Sequence, residues 1–513
     1  MLPSWRRLQS LAASPPSIPV MFAGDPSRSA SLSRAAALGS TEVLLDLSRQ
    51  HVDAEVLGAL LALAGEAGVA SVRDAMFAGA NVNATEARPA LHVASRGAEG
   101  ADAAAVSEAT AALDAALGFA DSVRSGAERA ADGSRYRAVV AVGIGGSDLG
   151  PRLVHGAFGD RALDCRFLSN VDPAAPAAAL AGLDPRSTLV VACSKSFGTY
   201  ETVANVRAVA GWLAAATGDP VRQLVAVTER PDRAAGAAGV EFGRTFTMPA
   251  WIGGRFSVSS AAGLAAALSI GPDRFREFLS GMRAVDAHFR TAPFEANLPV
   301  LLGLVTVWNR SFLGRETKAV VPYADALAGL VPWLQQVSME SNGKRTAAGG
   351  APVRTSTAPV VWGGVGTDAQ HAFMQMLHQG TSVVPVDFIG VAGRGPGGDA
   401  LFANLLAQAS ALAFGREGEP HVSCPGDRPS TLLALSEWTP AALGALMALY
   451  EHATVVEGAL WGVNSFDQFG VEMGKRIAGA VLEEIDGRSP RGGSDPATEA
   501  ALDWYLRHRG SAS

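Results

Sequence analysis

The sequence predicts an α/β protein in which helices cover parallel β-sheets. Apolar, Val-rich runs at 136–142 and 188–193 each lead into a turn of small residues and then into a helical stretch. A further apolar run lies at 224–227, and a second alternation of strands and helices begins near Leu298. Strand–turn–helix repeats are typical of parallel sheets, because the helix returns the chain to the start of the next strand. We therefore expect two α/β units.

The remaining segments extend this assignment along the chain. Residues 1–100 are interpreted as helices and turns, and the alanine-rich stretch Ala101–Ala131 has helical spacing. The glycine- and proline-rich stretch Gly390–Gly398 is predicted to be a loop, and a tail that ends in a short helix begins at Asp486. The second α/β unit contains three short apolar runs and a helical run, at 318–322, 360–362, 382–389 and 401–413.

Length and composition limit the possible functions. A chain of 513 residues exceeds one ordinary core, so we expect two or more domains. The formal net charge of −7 argues against nucleic acid as the main ligand, and the longest strongly apolar run, near Leu298–Trp308, is too short to cross a membrane. The 3 cysteines show neither metal-binding spacing nor a disulfide framework, which favours a reducing cytoplasm. We interpret Met1–Arg7 as the mature N-terminus.

The segment Gln335–Lys344 contains one carboxylate, Glu340, beside the small polar turn Ser341-Asn342-Gly343. A carboxylate held on a tight turn can point into a cleft and take a proton from a substrate carbon. Taken alone, the segment fits better with a helix end that Gly343 caps, since such turns are common. The catalytic interpretation therefore depends on the other motifs of the chain.

Two turns of small residues follow predicted strands, at Gly143–Ser147 and Ser194–Thr199. Such a turn exposes backbone N–H groups at the positive end of the next helix, which makes an anion site. Hydroxyl groups and Lys195 in the second turn add donors and charge, which suits a phosphate monoester; an ordinary βα loop is the alternative. The first turn lacks the dinucleotide-binding fingerprint, because Asp148 occupies its third glycine position.

Three further residues are candidates for catalysis. Two glycines precede Arg255 and allow the guanidinium to approach a ligand closely, although a surface hairpin also fits. His371 can serve as an acid or base near a helix start, but a single histidine is more often structural. Lys475, taken by itself, fits best with an exposed helix surface.

Taken together, these segments resemble the glucose-6-phosphate isomerase (phosphoglucose isomerase) family over nearly the whole chain. The order of the matches is more specific than any single motif. The matching segments are Asn83–Arg88 with Leu91-His92, Gly143–Pro151, Ser194–Thr202, Gly253–Arg255, His288–Pro293, Asn297–Pro299, Met339–Lys344, Gln370–Phe373, His378–Thr381 and Asn464–Lys475.

The resemblance implies a reversible conversion of glucose 6-phosphate to fructose 6-phosphate, in glycolysis and gluconeogenesis, through a cis-enediol and without metal or organic cofactor. It places Glu340 as the base that carries a proton between C2 and C1, and Arg255 as the group that stabilises the enediolate. His371 and Lys475 match the groups that open the sugar ring. The matching substrate-binding residues are Gly146, Ser147, Ser194, Lys195, Ser196 and Thr199 for the phosphate, and Gln336 and Gln468 for the sugar.

The resemblance also implies an assembly and a division into domains. We expect a homodimer with its active site at the subunit interface, no membrane or nucleic-acid partner, and two sugar-isomerase (SIS) domains with parallel-sheet α/β/α sandwiches. The expected boundaries are 1–100 for an N-terminal helical segment that packs on the larger domain, 101–275 for the first and smaller SIS domain, 276–485 for the second and larger one, and 486–513 for a C-terminal tail.

The chain departs from the family pattern at two places. In the second turn Gly198 loses a hydroxyl and Tyr200 replaces an amide, and Gly364-Val365 replaces the usual Glu-Pro before His371. These changes leave the preference among sugar phosphates open. The alternatives are an isomerase of another hexose phosphate, such as mannose 6-phosphate, and a non-catalytic sugar-phosphate sensor, which would not need the acid–base groups and Arg255 together.

Overall fold

The computed structural model describes residues 2–393 and 395–509, and it confirms the α/β class. The strands in these ranges are β1 Ser33–Leu38, β2 Thr41–Asp46, β3 Ala138–Val142, β4 Asp164–Leu168, β5 Thr188–Cys193, β6 Leu224–Thr228, β7 Arg244–Thr247, β8 Thr317–Pro322, β9 Val360–Gly363, β10 Val386–Val391 and β11 Ser430–Leu435. The α-helices are α1 Pro3–Ala12, α2 Ile18–Gly24, α3 Arg28–Leu32, α4 Ala54–Glu66, α5 Val69–Phe77, α6 Ala103–Ser125, α7 Leu149–Phe158, α8 Ala174–Leu180, α9 Tyr200–Thr217, α10 Pro231–Ala238, α11 Leu264–Ile270, α12 Pro272–Thr291, α13 Leu298–Val307, α14 Leu330–Gln335, α15 Met374–Gln379, α16 Gly395–Phe414, α17 Pro440–Trp461, α18 Glu472–Ile485 and α19 Pro496–His508.

One sheet is parallel throughout and has the strand order β4-β3-β5-β6-β7. All residues of β3 and β5 are buried, as expected for central strands covered on both faces. The chain leaves β3 toward β4 on one side, whereas β5 pairs with β3 on the other side. This reversal opens a crevice at the carboxyl ends of β3 and β5, which is where open α/β sheets bind ligands.

The other sheet is mixed and has the order β1-β2-β11-β10-β8-β9. Strands β8 to β11 run parallel, whereas β1 and β2 form an antiparallel hairpin that joins the sheet through β11. The expectation of helices and turns over residues 1–100 missed this hairpin. The alanine-rich β1 has no β-branched residue and therefore a low intrinsic β-propensity. It forms a strand because it pairs with β2.

The loop predicted at Gly390–Gly398 is shorter than expected, because strand and helix both extend into it. β10 continues to Val391 and α16 begins at Gly395, while Arg394 lies outside the described residues. A Cβ atom on Gly390 would lie 2.7 Å from the ring of Phe402 on α16. The glycine therefore permits close packing of helix on strand, a role that its loop-like composition concealed.

The chain divides into two compact units, residues 1–466 and 467–513. Both sheets and α1 to α17 belong to the first unit, and α18 and α19 to the second. In the first unit α17 is buried along nearly its whole length and packs against α12 and α13. The domain boundaries expected at residues 100, 275 and 485 stay predictions.

Helix α6 has the length and apolar content of a membrane span. The bent pair α4 and α5 also passes this test if the two helices are taken as one segment. The buried residues of α6 recur every three or four positions, and they pack into the core. This spacing is typical of an amphipathic helix that lies against the interior of a globular protein.

Candidate active site

The two turns of small residues lie side by side at the crevice of the parallel sheet. β3 ends at Val142 and β5 at Cys193, and the two strands are paired in register, with Val142 opposite Ala192. The first turn continues as a short 3₁₀ segment, Gly145–Ser147, before α7, and the second turn leads directly into α9. Backbone N–H groups at two neighbouring helix starts therefore face the same crevice, which suits an anion with several acceptor oxygens.

Hydroxyl groups shape the second turn from within. Ser194, which is buried, accepts a hydrogen bond on Oγ from the backbone N–H of Phe197 at 3.1 Å, and Ser196 Oγ accepts from Gly198 N–H at 3.3 Å. Both hydroxyl hydrogens can then be donated to a ligand. Thr199 precedes the first residue of α9 and makes no side-chain cap there, so its hydroxyl also lies at the positive end of that helix.

Lys195 ties the second turn to the segment that precedes Arg255. Its Nζ donates to the carbonyl oxygens of Ala250 at 2.9 Å and Ile252 at 2.8 Å, and it lies 3.5 Å from a carboxylate oxygen of Glu229. Burial lowers the pKa of the Lys195 ammonium from its ordinary value. The Lys195 side chain thus holds the backbone before Arg255 in place.

The first turn packs directly on the backbone that carries Arg255. A Cβ atom on Gly146 would lie 2.1 Å from the carbonyl group of Gly254. Only a glycine at this position permits the approach, so the turn and the Arg255 segment form one contact surface. Both turns are therefore linked to the segment before Arg255.

Arg255 is the second residue of a short 3₁₀ segment, Gly254–Ser259, and its side chain is almost fully buried. Its Nε donates to Ser341 Oγ at 2.6 Å, Nη1 donates to Glu340 Oε2 at 3.3 Å, and Nη2 donates to the backbone carbonyl of Ser465. These bonds fix the plane of a permanently charged guanidinium beside the carboxylate.

Glu340 ends a π-helical turn, Gln336–Glu340, that continues α14. Such turns are rare and frequently occur at functional sites, because they change the direction of side chains within a helix. The Glu340 side chain keeps 21% of its surface exposed while Arg255 orients Oε2. A Cβ atom on Gly343 would lie 2.5 Å from the Met339 carbonyl, so the glycine closes the helix end tightly. A carboxylate that is oriented yet accessible can act as a base.

Gln336, at the start of the same π-helical turn, lies against the first turn of small residues, Gly143–Ser147. A Cβ atom on Gly145, whose φ is +59°, would be 2.9 Å from Gln336 Nε2. The Oε1 atom of Gln336 is buried and has no hydrogen-bond partner within the described residues. A buried acceptor beside the crevice is suited to a donor from a ligand.

The remaining candidates lie on other parts of the chain, His371 in the first unit and Lys475 and Gln468 in the second. His371 ends a short 3₁₀ segment, Asp368–His371, and is exposed, and its side chain makes no hydrogen bond or ion pair within residues 2–393 and 395–509. Lys475 is exposed on α18 of the second unit, where its Nζ pairs with Glu472 at 2.8 Å. Gln468 also belongs to the second unit.

Comparison with known proteins decides the family. Residues 46–502 match the sequence model of the family described as phosphoglucose isomerase. This chain belongs to that family. Among the described residues no group of three or more His, Cys, Asp or Glu side chains is arranged to hold a metal ion.

Several relatives cover nearly all of this phosphoglucose isomerase family member. Glucose-6-phosphate isomerase 1 of Rhodococcus jostii is 42% identical, with 99% of this chain and 98% of the relative covered. The glucose-6-phosphate isomerase of Frankia casuarinae is 45% identical, with 94% and 92% covered. A crystal structure of a glucose-6-phosphate isomerase from Chlamydia trachomatis has a TM-score of 0.88 at 32% identity, and 98% of each chain is covered.

Sequence reasoning missed the residues of this family member that hold Arg255 and Glu340 together. Ser341 and Asn342 were interpreted only as parts of a turn, and Ser465 only as part of a matching segment, yet all three are buried. The sequence contains one indication that these residues support the site: Ser341 and Asn342 directly follow Glu340, and Ser465 lies within a matching segment. Which side chain each one contacts depends on long-range packing, which spacing along the chain does not show.

Proposed function

We propose that this protein interconverts glucose 6-phosphate and fructose 6-phosphate. The observation that carries the proposal is the contact of Arg255 Nη1 with Glu340 Oε2 at 3.3 Å, in a member of the phosphoglucose isomerase family. The segment before Arg255 also packs against the turns that we assign to the phosphate. A base, a fixed cation and a phosphate anchor are the three parts that this isomerisation needs. No observation favours another hexose phosphate or a non-catalytic sensor.

In the proposed reaction Glu340 moves a proton between adjacent carbons. Its carboxylate removes the proton from C2 of the open-chain aldose, the C–H electron pair forms the C1–C2 double bond of the cis-enediol, and the C1 carbonyl becomes a hydroxyl as O1 takes up a proton. The Glu340 carboxylic acid then gives a proton to C1 while the C2 hydroxyl releases its proton and becomes the ketose carbonyl. The net movement of the hydroxyl proton is from O2 to O1. One base can serve both carbons because the proton leaves C2 and reaches C1 at the same face of the planar enediol. General base catalysis of this kind contributes roughly 10²–10⁴-fold to a rate.

Arg255 stabilises the charge that develops on the enediol oxygen. Its guanidinium is always protonated, and burial away from water strengthens its attraction for an anion. Since Ser341 and Ser465 already hold Nε and Nη2, the cation needs little reorganisation during the reaction. The interaction grows as negative charge appears, so it favours the transition state over the substrate.

The phosphate group is bound by the two turns at the ends of β3 and β5. We assign the hydroxyls of Ser147, Ser194, Ser196 and Thr199 and the N–H groups of Gly146 and Lys195 as its donors. The buried Oε1 of Gln336 supports a contact with a sugar hydroxyl, and Gln468 is assigned to the sugar from its matching position. Binding the phosphate away from the reacting carbons supplies energy for their alignment.

Ring opening is assigned to His371 and Lys475, and we propose that His371 acts in the neighbouring subunit of a homodimer. The exposure of His371, without a hydrogen-bond partner in the described part of its own chain, supports a role across an interface. The exposed apolar side chains of Val471, Met473 and Ile477 near the start of α18 also support burial by a second copy. A symmetric dimer would contain two such sites.

We place the reaction in glycolysis and gluconeogenesis in the cytoplasm. The three cysteines, Cys165, Cys193 and Cys424, are free thiols, which fits a reducing compartment. The chemistry assigned to Glu340 and Arg255 needs neither metal nor organic cofactor.

The proposed function is tested by following glucose 6-phosphate with the purified protein. We expect fructose 6-phosphate to form, the reverse reaction to reach the same equilibrium ratio, and both rates to persist in the presence of a chelator. Mannose 6-phosphate and free glucose serve as comparison substrates at equal concentration. A faster reaction of mannose 6-phosphate, or no conversion of glucose 6-phosphate, would contradict the assignment.

A further inference from the structure

A buried hydrogen bond fixes the turn that follows Glu340. Asn342 Oδ1 accepts from Ser465 Oγ at 2.7 Å, and both residues are almost fully buried. The Asn342 Nδ2 donates to the backbone carbonyl of Thr454 at 2.8 Å and to Glu457 Oε2 at 3.4 Å. Since a carbonyl can only accept, α17 sets which end of the amide faces Ser465. The Asn342 side chain is therefore held at both ends.

The same two segments hold Arg255. Its Nε donates to Ser341 Oγ, the residue before Asn342, and its Nη2 donates to the backbone carbonyl of Ser465. The guanidinium thus bridges the turn after Glu340 and the Ser465 backbone. The hydrogen bond from Ser465 to Asn342 joins these two supports to each other, so it sets the position of Arg255 relative to Glu340.

Further contacts fasten the same two segments. Lys344 Nζ donates to the backbone carbonyl of Asn464. Asn464 Nδ2 in turn donates to Asn83 Oδ1 at 2.8 Å and to Thr85 Oγ1 at 2.6 Å. The segment Asn83–Arg88, which has no assigned chemical role, therefore supports the backbone that accepts from Arg255.

Gly458 on α17 makes room for this hydrogen bond. A Cβ atom on Gly458 would lie 1.9 Å from Ser465 Oγ and 3.0 Å from Asn342 Oδ1. Gly458 lies inside a helix and does not have a positive φ, so the backbone conformation does not require glycine there. Glycine is unfavourable within helices, and the space it leaves for Ser465 explains its presence.

We propose that Asn342 and Ser465 are positioning residues that hold the Arg255 guanidinium against Glu340, with Gly458 providing their space. The inference rests on the proposed function. A misplacement of about 1 Å can cost about 10²-fold in rate, so loss of this hydrogen bond should act on the chemical step. Substrate affinity should change little, because Asn342 and Ser465 hold the Arg255 side chain, whereas the phosphate is assigned to the turns at β3 and β5.

The test compares Ser465→Ala, Gly458→Ala and the double variant. Ser465→Ala removes the donor, and Gly458→Ala displaces the hydroxyl by its added methyl group. We expect kcat for glucose 6-phosphate to fall about tenfold or more in each single variant, with KM within about twofold of the wild type. The double variant should lose no more than one single variant, because removal of the hydroxyl makes room for the methyl group.

Ser269→Ala is the matched control. Ser269 is also a buried serine of the first unit, and its Oγ pairs with His155 Nδ1 at 2.6 Å. Its removal should lower thermal stability in the way that any lost buried hydrogen bond does, and leave kcat unchanged below the unfolding range. If Ser465→Ala does not fold, Gly458→Ala alone provides the test, since alanine favours the helix.

The outcomes separate this inference from the proposed function. No interconversion by the wild type would contradict the function and the inference together. An active wild type whose kcat is retained in Ser465→Ala and Gly458→Ala contradicts the inference alone, as does a rise in KM at unchanged kcat. An equal loss of kcat in Ser269→Ala would reduce the role of Ser465 to general stability and would also overturn it.

Discussion

At the scale of single residues, the site combines a buried cation with a partly exposed carboxylate. The hydrogen bonds of Arg255 include one to Glu340, one to Ser341 and one to the Ser465 carbonyl. A lysine could not reproduce this fork, because its ammonium is a single point of charge. Glu340 remains accessible, so Arg255 can stay fixed while the Glu340 carboxylate contacts the substrate.

The first prediction concerns Glu340. Glu340→Gln keeps the shape of the side chain and removes its ability to accept a proton. We expect kcat to fall by about 10²–10⁴-fold, with folding and binding of the phosphate ester retained. Incorporation of solvent deuterium at C2 should fall equally, measured by NMR.

The exposed Glu417→Gln is the control for this substitution and should behave as the wild type. Exchange of the C2 proton at the wild-type rate in Glu340→Gln would show that another group is the base.

The second prediction concerns the hydroxyls of the second turn, Ser194–Thr199, which we assign to the phosphate. Ser194→Ala and Thr199→Ala each remove a donor to a charged acceptor, which is worth about 1.5–3 kcal/mol. We expect KM for glucose 6-phosphate to rise about tenfold or more in steady-state assays. Thr199→Ser, which keeps the hydroxyl, should recover most of the affinity.

Free glucose should be turned over poorly by the wild type, and its efficiency should be insensitive to Ser194→Ala. Equal efficiency with glucose and glucose 6-phosphate would contradict the assignment of this turn to the phosphate.

At the scale of elements, the strands followed by small-residue turns were predictable, because buried parallel strands are apolar and continuous in sequence. β3, β5, β6, β8 and β9 begin and end close to the predicted positions. The sequence did not predict β1, which is a strand because it pairs with β2. It also did not predict that β10 continues through Gly390, where the strand packs against Phe402. Local sequence does not contain that information.

The candidate site divides in the same way. Glu340, Arg255 and the two turns stand out in the sequence, because each combines a chemical group with glycine or small residues. The supporting contacts of Asn342 and Ser465 bring together residues more than a hundred positions apart. Only the packing of α17 against the site reveals them.

The third prediction concerns α17 and the pH dependence of stability. Burial raises the pKa of Glu457 from its ordinary value of 4.5 to about 7. The folded protein therefore holds this proton more tightly than the unfolded chain, and the stabilisation is complete below pH 4.5 and lost as the pH rises through about 7. Relative to Glu457→Gln, the wild type should lose at most about 3.5 kcal/mol of unfolding free energy across this window, since one pKa unit corresponds to about 1.4 kcal/mol.

The measurement is the difference in unfolding free energy between wild type and Glu457→Gln at several pH values. Buried histidines such as His92 and His452 have lowered pKa values and act in the opposite direction, so the comparison with the variant removes their contribution. A difference that does not change between pH 4.5 and 7.5 would show that Glu457 does not bind its proton more tightly in the folded state.

At the scale of the whole molecule, the residues assigned to catalysis lie on different parts of the chain. Glu340 and Arg255 are joined within one compact unit, whereas His371 is exposed and Lys475 belongs to the second unit. In the proposed dimer each site takes His371 from the other chain. Inactivating substitutions in different chains should then complement each other.

The fourth prediction is this complementation. Inactive Glu340→Gln chains are mixed with inactive His371→Ala chains after reversible dissociation. In each heterodimer one site contains both defects and the other contains neither, so activity should reappear in proportion to the heterodimer formed. Mixing two preparations of the same variant is the control, and inactive heterodimers of folded chains would contradict a role of His371 across the interface.

In the proposed reaction, the contact between Gly146 and Gly254 also limits which lengths of sugar can react. Because backbone packs against backbone there, no side-chain rotation can change the distance from the phosphate turns to Arg255 and Glu340. An aldopentose 5-phosphate is shorter by one carbon, about 1.5 Å, which exceeds the misplacement of about 1 Å that already costs about 10²-fold. We therefore expect the protein to bind pentose phosphates and leave their C2 proton in place.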